Sequence, residues 1–236
     1  MSNKTLYQHG TLGALMAGLM DGTKTISDLL TLGDLGIGTL HGLDGEVIII
    51  NGEAYQGRSD GKLIKLTGEE LTPYAAVTTF KADRQVILDE GLYSEETLNK
   101  MLTHFKSQNT FSAVKLTGVF NKMHIRIMPK QEKPYRRLVE VSKIQPEFTE
   151  EYIKGSLVGF YTPALFQGVA AAGFHLHFIS EDRTFGGHVI DFELGQGVLE
   201  ISDIDAMTQL FPVNDTTFLE TEIDYANLAS EIEQAE

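Results

Sequence analysis

The chain has 236 residues, with 33 acidic against 19 basic side chains, a formal net charge of −14 and no cysteine. The acidity argues against nucleic acid and anionic membranes, which both need a basic face. The lack of cysteine excludes disulfides and thiolate metal sites, leaving His, Asp, Glu or backbone oxygen to hold any metal.

The first residues lack the apolar run of a signal peptide, and no stretch approaches the ~20 apolar residues that span a bilayer. These features predict a cytoplasmic protein without membrane association. Thr11 to Met20 carries apolar residues at helical spacing and predicts a short helix stopped by Asp21-Gly22. Thr25 to Leu32 predicts a second helix, and Gly36 to Leu40 opens a strand-rich region. From Glu46 to Gln56, Asn51-Gly52 between β-branched runs predicts a hairpin with a type I′ turn. Lys62 to Leu66 and Tyr74 to Phe80 continue the strands. Ser94 to Phe105 predicts a helix capped by Ser94.

Phe111 to Met128 reads as two strands or one long bent one, and Lys130 to Tyr135 as a polar break. Glu151 to Tyr161 and Val198 to Ile204 are strand candidates, and Ala226 to Glu236 a short terminal helix. Many short strands with few helices predict an α+β fold of two packed sheets. The expected division is a mixed-sheet lobe over 1–150 and an antiparallel lobe over 151–236.

The segment Gly173 to His188 holds the most specific pattern. His175 and His177 share one face of an extended strand, while Phe174, Leu176 and Phe178 share the other. The polar stretch Ser180 to Gly187 ends in Gly-Gly, as a hairpin loop would. It would bring His188 back beside the pair. Three imidazoles with an open position form the ligand set of a catalytic zinc site. The competing reading is a pair of solvated histidines with a third as hydrogen-bond partner. Alternation in the return strand is imperfect, which leaves the register of His188 open. His9, His41, His104 and His124 lack ligand spacing and read as structural or exposed.

Several motifs together resemble the bacterial α-acetolactate decarboxylases. They are Gly173–Asp182 with Gly186–Val189, Gly36–Glu46, Thr78-Thr79-Phe80, Ala113–Gly118, Pro129–Tyr135 and Gly159–Pro163. The resemblance runs from about Tyr7 to the last residue. It implies conversion of (S)-2-acetolactate to (R)-acetoin and carbon dioxide, with Zn²⁺ or another divalent ion and no organic cofactor. It further implies that His175, His177 and His188 are the metal ligands and that Glu46, Arg126 and Glu236 are catalytic. Thr39 and Arg126 would contact the substrate, and the assembly would be a homodimer. The implied chemistry chelates the substrate hydroxyl and ketone on the metal, which stabilises an enediolate.

Two other readings compete. His175-x-His177 followed by Glu181 forms half of a cupin metal motif, with Glu181 as a fourth ligand. A metal-dependent sensor without turnover would use the same histidines for binding alone.

Overall fold

The computed structural model describes residues 4–88, 91–224 and 226–235. In chain order, β1 (Thr5–His9), α1 (Leu12–Met16), β2 (Lys24–Thr25) and α2 (Ile26–Leu30) come first. They are followed by β3 (Leu35–Thr39), β4 (Glu46–Ile50), β5 (Glu53–Gly57), β6 (Leu63–Lys65), β7 (Leu71–Thr72) and β8 (Tyr74–Thr78). Next are β9 (Arg84–Leu88), β10 (Leu92–Tyr93), α3 (Ser94–Thr103), β11 (Ser112–Arg126), α4 (Leu138–Val141) and β12 (Glu147–Thr162). The last are β13 (Gly173–Ser180), β14 (Gly186–Asp203), β15 (Ala206–Leu210), α5 (Thr216–Glu220) and α6 (Leu228–Ala235).

The architecture is α+β, as the pattern predicts. A seven-stranded sheet has the order β15-β1-β8-β3-β4-β5-β6, mixed because β15 pairs parallel to β1. A six-stranded antiparallel sheet joins β10, β14, β11, β12 and β13, with β9 on β14. Within it β14 pairs both β11 and β13, and β12 pairs both as well, so these four strands close on themselves. The short β2–β7 pair stands apart. Strand membership cuts across residue 150: β12 runs through it, β11 lies in the six-stranded sheet, and β15 joins the seven-stranded one. Among the described residues, no helix is long and apolar enough to cross a membrane.

Period-two alternation sorts the side chains into layers. On β3, Leu35 and Ile37 face inward, and on β4, Ile48 and Ile50 do; they meet Ala113, Val158, Phe160 and Ile179 of the other sheet. Val47 and Ile49 point the other way, under α2 with Ile26 and Leu29. On β13, Leu176 and Phe178 enter the second core with Phe120 and Phe192. Truncating a fully buried phenylalanine such as Phe178 would cost about 3–5 kcal/mol.

Several elements differ from the sequence reading. α1 stops at Met16 rather than running to Met20, because the chain turns at Gly18, whose φ is +92°. Ser94 is the first helical residue of α3, not its cap; Tyr93 takes the cap position, and Ser94 Oγ donates to Asp191 Oδ1 at 2.6 Å. The stretch Phe111–Met128 forms one strand over Ser112–Arg126, and Val198–Asp203 is the end of the 18-residue β14 rather than a separate strand, with Ile204 just beyond it. The hairpin at Asn51-Gly52 forms with φ of 52° and 76°, the type I′ geometry.

Candidate functional site

The site sits where the inner faces of the two sheets run out of apolar partners. From the seven-stranded sheet, Tyr74 pairs across to Thr39, and Thr39 to Glu46. These residues form one row over β8, β3 and β4. Each continues an inward-facing series that is apolar deeper in: Ala76, Ile37 and Ile48. From the six-stranded sheet, Arg126 pairs across to His188, and His188 to His177. That second row crosses β11, β14 and β13. His175 lies two residues from His177 on the same face.

The imperfect alternation of β14 has a structural cause. Ile125 pairs with Val189, but His124 pairs with Asp191, so Ile190 is an extra residue in a β-bulge. Ile190 is turned out to solvent, while His188 and Phe192 both stay buried. The bulge resolves the open register and sets His188 beside His177.

One small cavity of about 40 Å³ is lined by Thr39, Glu46, Tyr74, Arg126, His175, His177 and His188. Its apolar wall includes Leu12, Leu15, Leu43, Met128 and Leu138. The protein has a larger cavity of about 520 Å³, which includes Asp21, Lys133 and Tyr135. Tyr135 donates to Asp21 Oδ1 at 2.9 Å, and burial with this carboxylate pushes its phenol up to about 12. Volume does not pick out the site; the convergence of buried polar groups selects the smaller cavity.

Burial holds His175 and His177 neutral. Candidate ligand atoms of His175, His177 and His188 lie within 4.8 Å of one another. Nδ1 of His177 is 2.9 Å from the Val47 carbonyl. A carbonyl only accepts, so Nδ1 carries the proton and Nε2 keeps its lone pair. That Nε2 is buried and has no hydrogen-bond partner among the described residues. It stands 3.5 Å from Glu46 Oε2. Burial, reinforced by Arg126, lowers His175 to about 3. Burial, then His175, hold His177 well below the usual imidazole range. Neutral imidazoles aimed together, one with an orphaned buried nitrogen, fit a divalent cation.

The remaining groups are held in place from both sheets. Arg126 Nη2 donates to His188 Nε2 at 2.9 Å. Glu46 Oε1 accepts from the Met128 backbone N–H at 3.1 Å. Thr39 Oγ1 donates to the Gly45 carbonyl at 2.7 Å, leaving its oxygen to face the cavity as an acceptor. Gly45 is required there: its φ is +78°, and a Cβ would meet the Gly57 carbonyl at 2.1 Å.

Glu46, Arg126, Thr39 and the three histidines, drawn from distant parts of the sequence, thus line one cavity. Glu236 lies outside the described residues. Glu181 is exposed in the turn after β13, roughly 13 Å along the strand from His177 at ~3.3 Å per residue. This removes it from the histidine cluster and with it the cupin ligand set. His9 is buried against Thr23 Oγ1, at 2.8 Å, and His124 pairs with Glu147. Tyr74 and the leucine wall were not singled out in the sequence. Tyr74 could have been found only from its position opposite Thr39, which needs the strand register.

Fold and site together define an α+β protein with a buried three-histidine cluster beside an arginine and a carboxylate. The family profile described as Alpha-acetolactate decarboxylase matches residues 6–225. The alpha-acetolactate decarboxylase of Lactococcus lactis subsp. cremoris is 48% identical over 231 residues, covering 98% of each chain. That of Streptococcus thermophilus is 40% identical over 98% of each. The crystal structure of alpha-acetolactate decarboxylase from Bacillus subtilis strain 168 superposes with a TM-score of 0.95 at 37% identity, over 98% of this chain and 99% of that one. The chain belongs to the alpha-acetolactate decarboxylase family. It is an enzyme, a carboxy-lyase.

Proposed function

We propose that the chain converts (S)-2-acetolactate to (R)-acetoin and carbon dioxide in a zinc-dependent reaction. The observation that carries this reading is the convergence of His175, His177, His188, Arg126 and Glu46 on one buried cavity. We assign His175, His177 and His188 as the metal ligands. Zn²⁺ suits three neutral imidazoles, and other divalent ions also accept them. When bound, the ion supplies a Lewis acid for the substrate's hydroxyl and ketone oxygens.

The rest of the work falls to side chains of this chain. Arg126 offers fixed donors to the substrate carboxylate; the Nη2 N–H that meets His188 Nε2 is the group we assign to it. Its hold must not be tighter on the substrate than on the transition state, or the barrier would not fall. As the carbon–carbon bond breaks, its electron pair passes into the neighbouring ketone, which needs no organic cofactor as electron sink. One proton is then consumed at the carbon that lost the carboxylate. Glu46, anchored through Met128 N–H, delivers or relays it. Glu236 shares this work in our assignment, and Thr39 accepts a hydrogen bond from the substrate. The leucine wall excludes water, which strengthens each electrostatic contact inside. A homodimer in the cytoplasm belongs to the same proposal; sedimentation of the purified protein tests the assembly.

The test is to mix purified protein with racemic acetolactate and follow acetoin, its enantiomers and carbon dioxide. Our reading expects (R)-acetoin well above the spontaneous rate, suppressed by a chelator. Saturable binding without carbon dioxide release would instead favour a sensor.

A further inference from the structure

The tail of the chain packs on the apolar wall of the candidate site. Leu228 and Ile232 are four residues apart on α6 and so share one helix face. Ile232 is 2% exposed and belongs to one apolar cluster with Leu12, Leu15, Leu43, Tyr74, Met128 and Leu138. All six of those residues line the site cavity. Leu228 seats in a notch that two glycines leave open. A Cβ on Gly13 would approach Leu228 Cδ2 to 3.1 Å, and one on Gly168 to 3.2 Å. The notch is itself tied together, because Gly13 N–H donates to the Gly168 carbonyl at 2.8 Å.

A third anchor is polar. Arg137 Nη2 donates to Glu231 Oε2 at 2.6 Å. Arg137 precedes α4, whose first residue, Leu138, lines the cavity. An eight-residue helix is too short to persist alone in water, so α6 depends on these anchors for its place and its fold.

We infer that Arg137 is a positioning residue for the decarboxylation. Through Glu231 it clamps α6 over the apolar wall, with Leu228 locked in the Gly13–Gly168 notch. The clamp keeps water from that side of the cavity while the carboxylate leaves. This inference rests on the site assignment made under Proposed function.

The test is a charge swap. Arg137→Glu, Glu231→Arg and the double variant are compared with the unaltered protein for kcat, KM, bound metal and amide exchange over 228–235. Each single variant should lower kcat about tenfold, change KM less than about threefold, and keep its metal. Exchange in the tail should quicken in both, and the double variant should restore kcat and exchange to within about threefold. Arg137→Lys, which retains the charge, should stay within about threefold of the starting kcat and serves if Arg137→Glu does not fold. Single variants with faster tail exchange but unchanged kcat would overturn the inference, as would a double variant without rescue. His175→Ala in the same series separates the two levels. If it is inactive while the clamp variants are unaffected, only the positioning role fails; if it is fully active, the site assignment itself fails.

Discussion

The two sheets bring different chemistry to the same cavity. The six-stranded sheet supplies three imidazoles and a guanidinium, fixed in register by the β14 bulge and the ring of four strands. The seven-stranded sheet supplies a carboxylate and two hydroxyl groups at the ends of inward-facing apolar series. Neither row makes a site alone. Contacts that join them include the Val47 carbonyl, which fixes the His177 tautomer, and the Met128 N–H, which holds Glu46. In our reading one sheet binds metal and carboxylate, and the other handles protons. A substitution in one row should therefore fail differently from one in the other.

The largest effect is expected at His175→Ala, which should lose metal and at least about 10³-fold in turnover, since a Lewis acid contributes several kcal/mol. Metal analysis beside the acetoin assay checks both. Arg126→Ala, in the same sheet, should retain metal yet lose about 10²–10³-fold in kcat; unchanged turnover would remove its assigned role. Glu46→Gln, in the other sheet, should keep both metal and substrate affinity and lower kcat by about 10²-fold. A solvent isotope effect that grows in this variant would mark proton delivery as its slow step.

A buried imidazole outside both rows sharpens the contrast. His9 is lowered to about 4, by burial first and then by Lys24. Its unfolded value is near 6.5, so the unfolded chain binds more protons between these limits. Stability is therefore full above about pH 6.5 and falls as pH drops towards 4, by up to about 3 kcal/mol. His9→Gln should flatten the pH dependence of unfolding in that window and leave turnover at neutral pH unchanged. The smallest effect is expected at Tyr74→Phe, about tenfold or less in kcat, the range of one neutral hydrogen bond.

Much of this was legible in the sequence, for identifiable reasons. The faces of β13 follow from strict alternation, so His175 and His177 were placed opposite Phe174, Leu176 and Phe178 without coordinates. Asn51-Gly52 specified its own turn. His188 was less determined, because a bulge shifts parity by one residue and leaves only a broken alternation as its trace. Arg126, between Ile125 and Ile127, and Glu46, at the start of a hairpin strand, look like surface charges; only the resemblance singles them out. Their burial depends on two sheets meeting, which is a long-range event. Strands β1 and β15 are not legible for the same reason, since a parallel pair of chain-distant segments leaves no local turn signal. Tyr74 and the tail's packing on the leucine wall likewise arise only in the folded chain.

The central claim is that the three histidines hold the ion on which decarboxylation depends. The most direct measurement is a titration of chelator-stripped protein with Zn²⁺, following acetoin formation against bound metal. The stripped protein should show negligible activity, with a linear rise to a plateau at one equivalent and neither binding nor recovery in His175→Ala. Full activity in metal-free protein, or full recovery in His175→Ala, would contradict it.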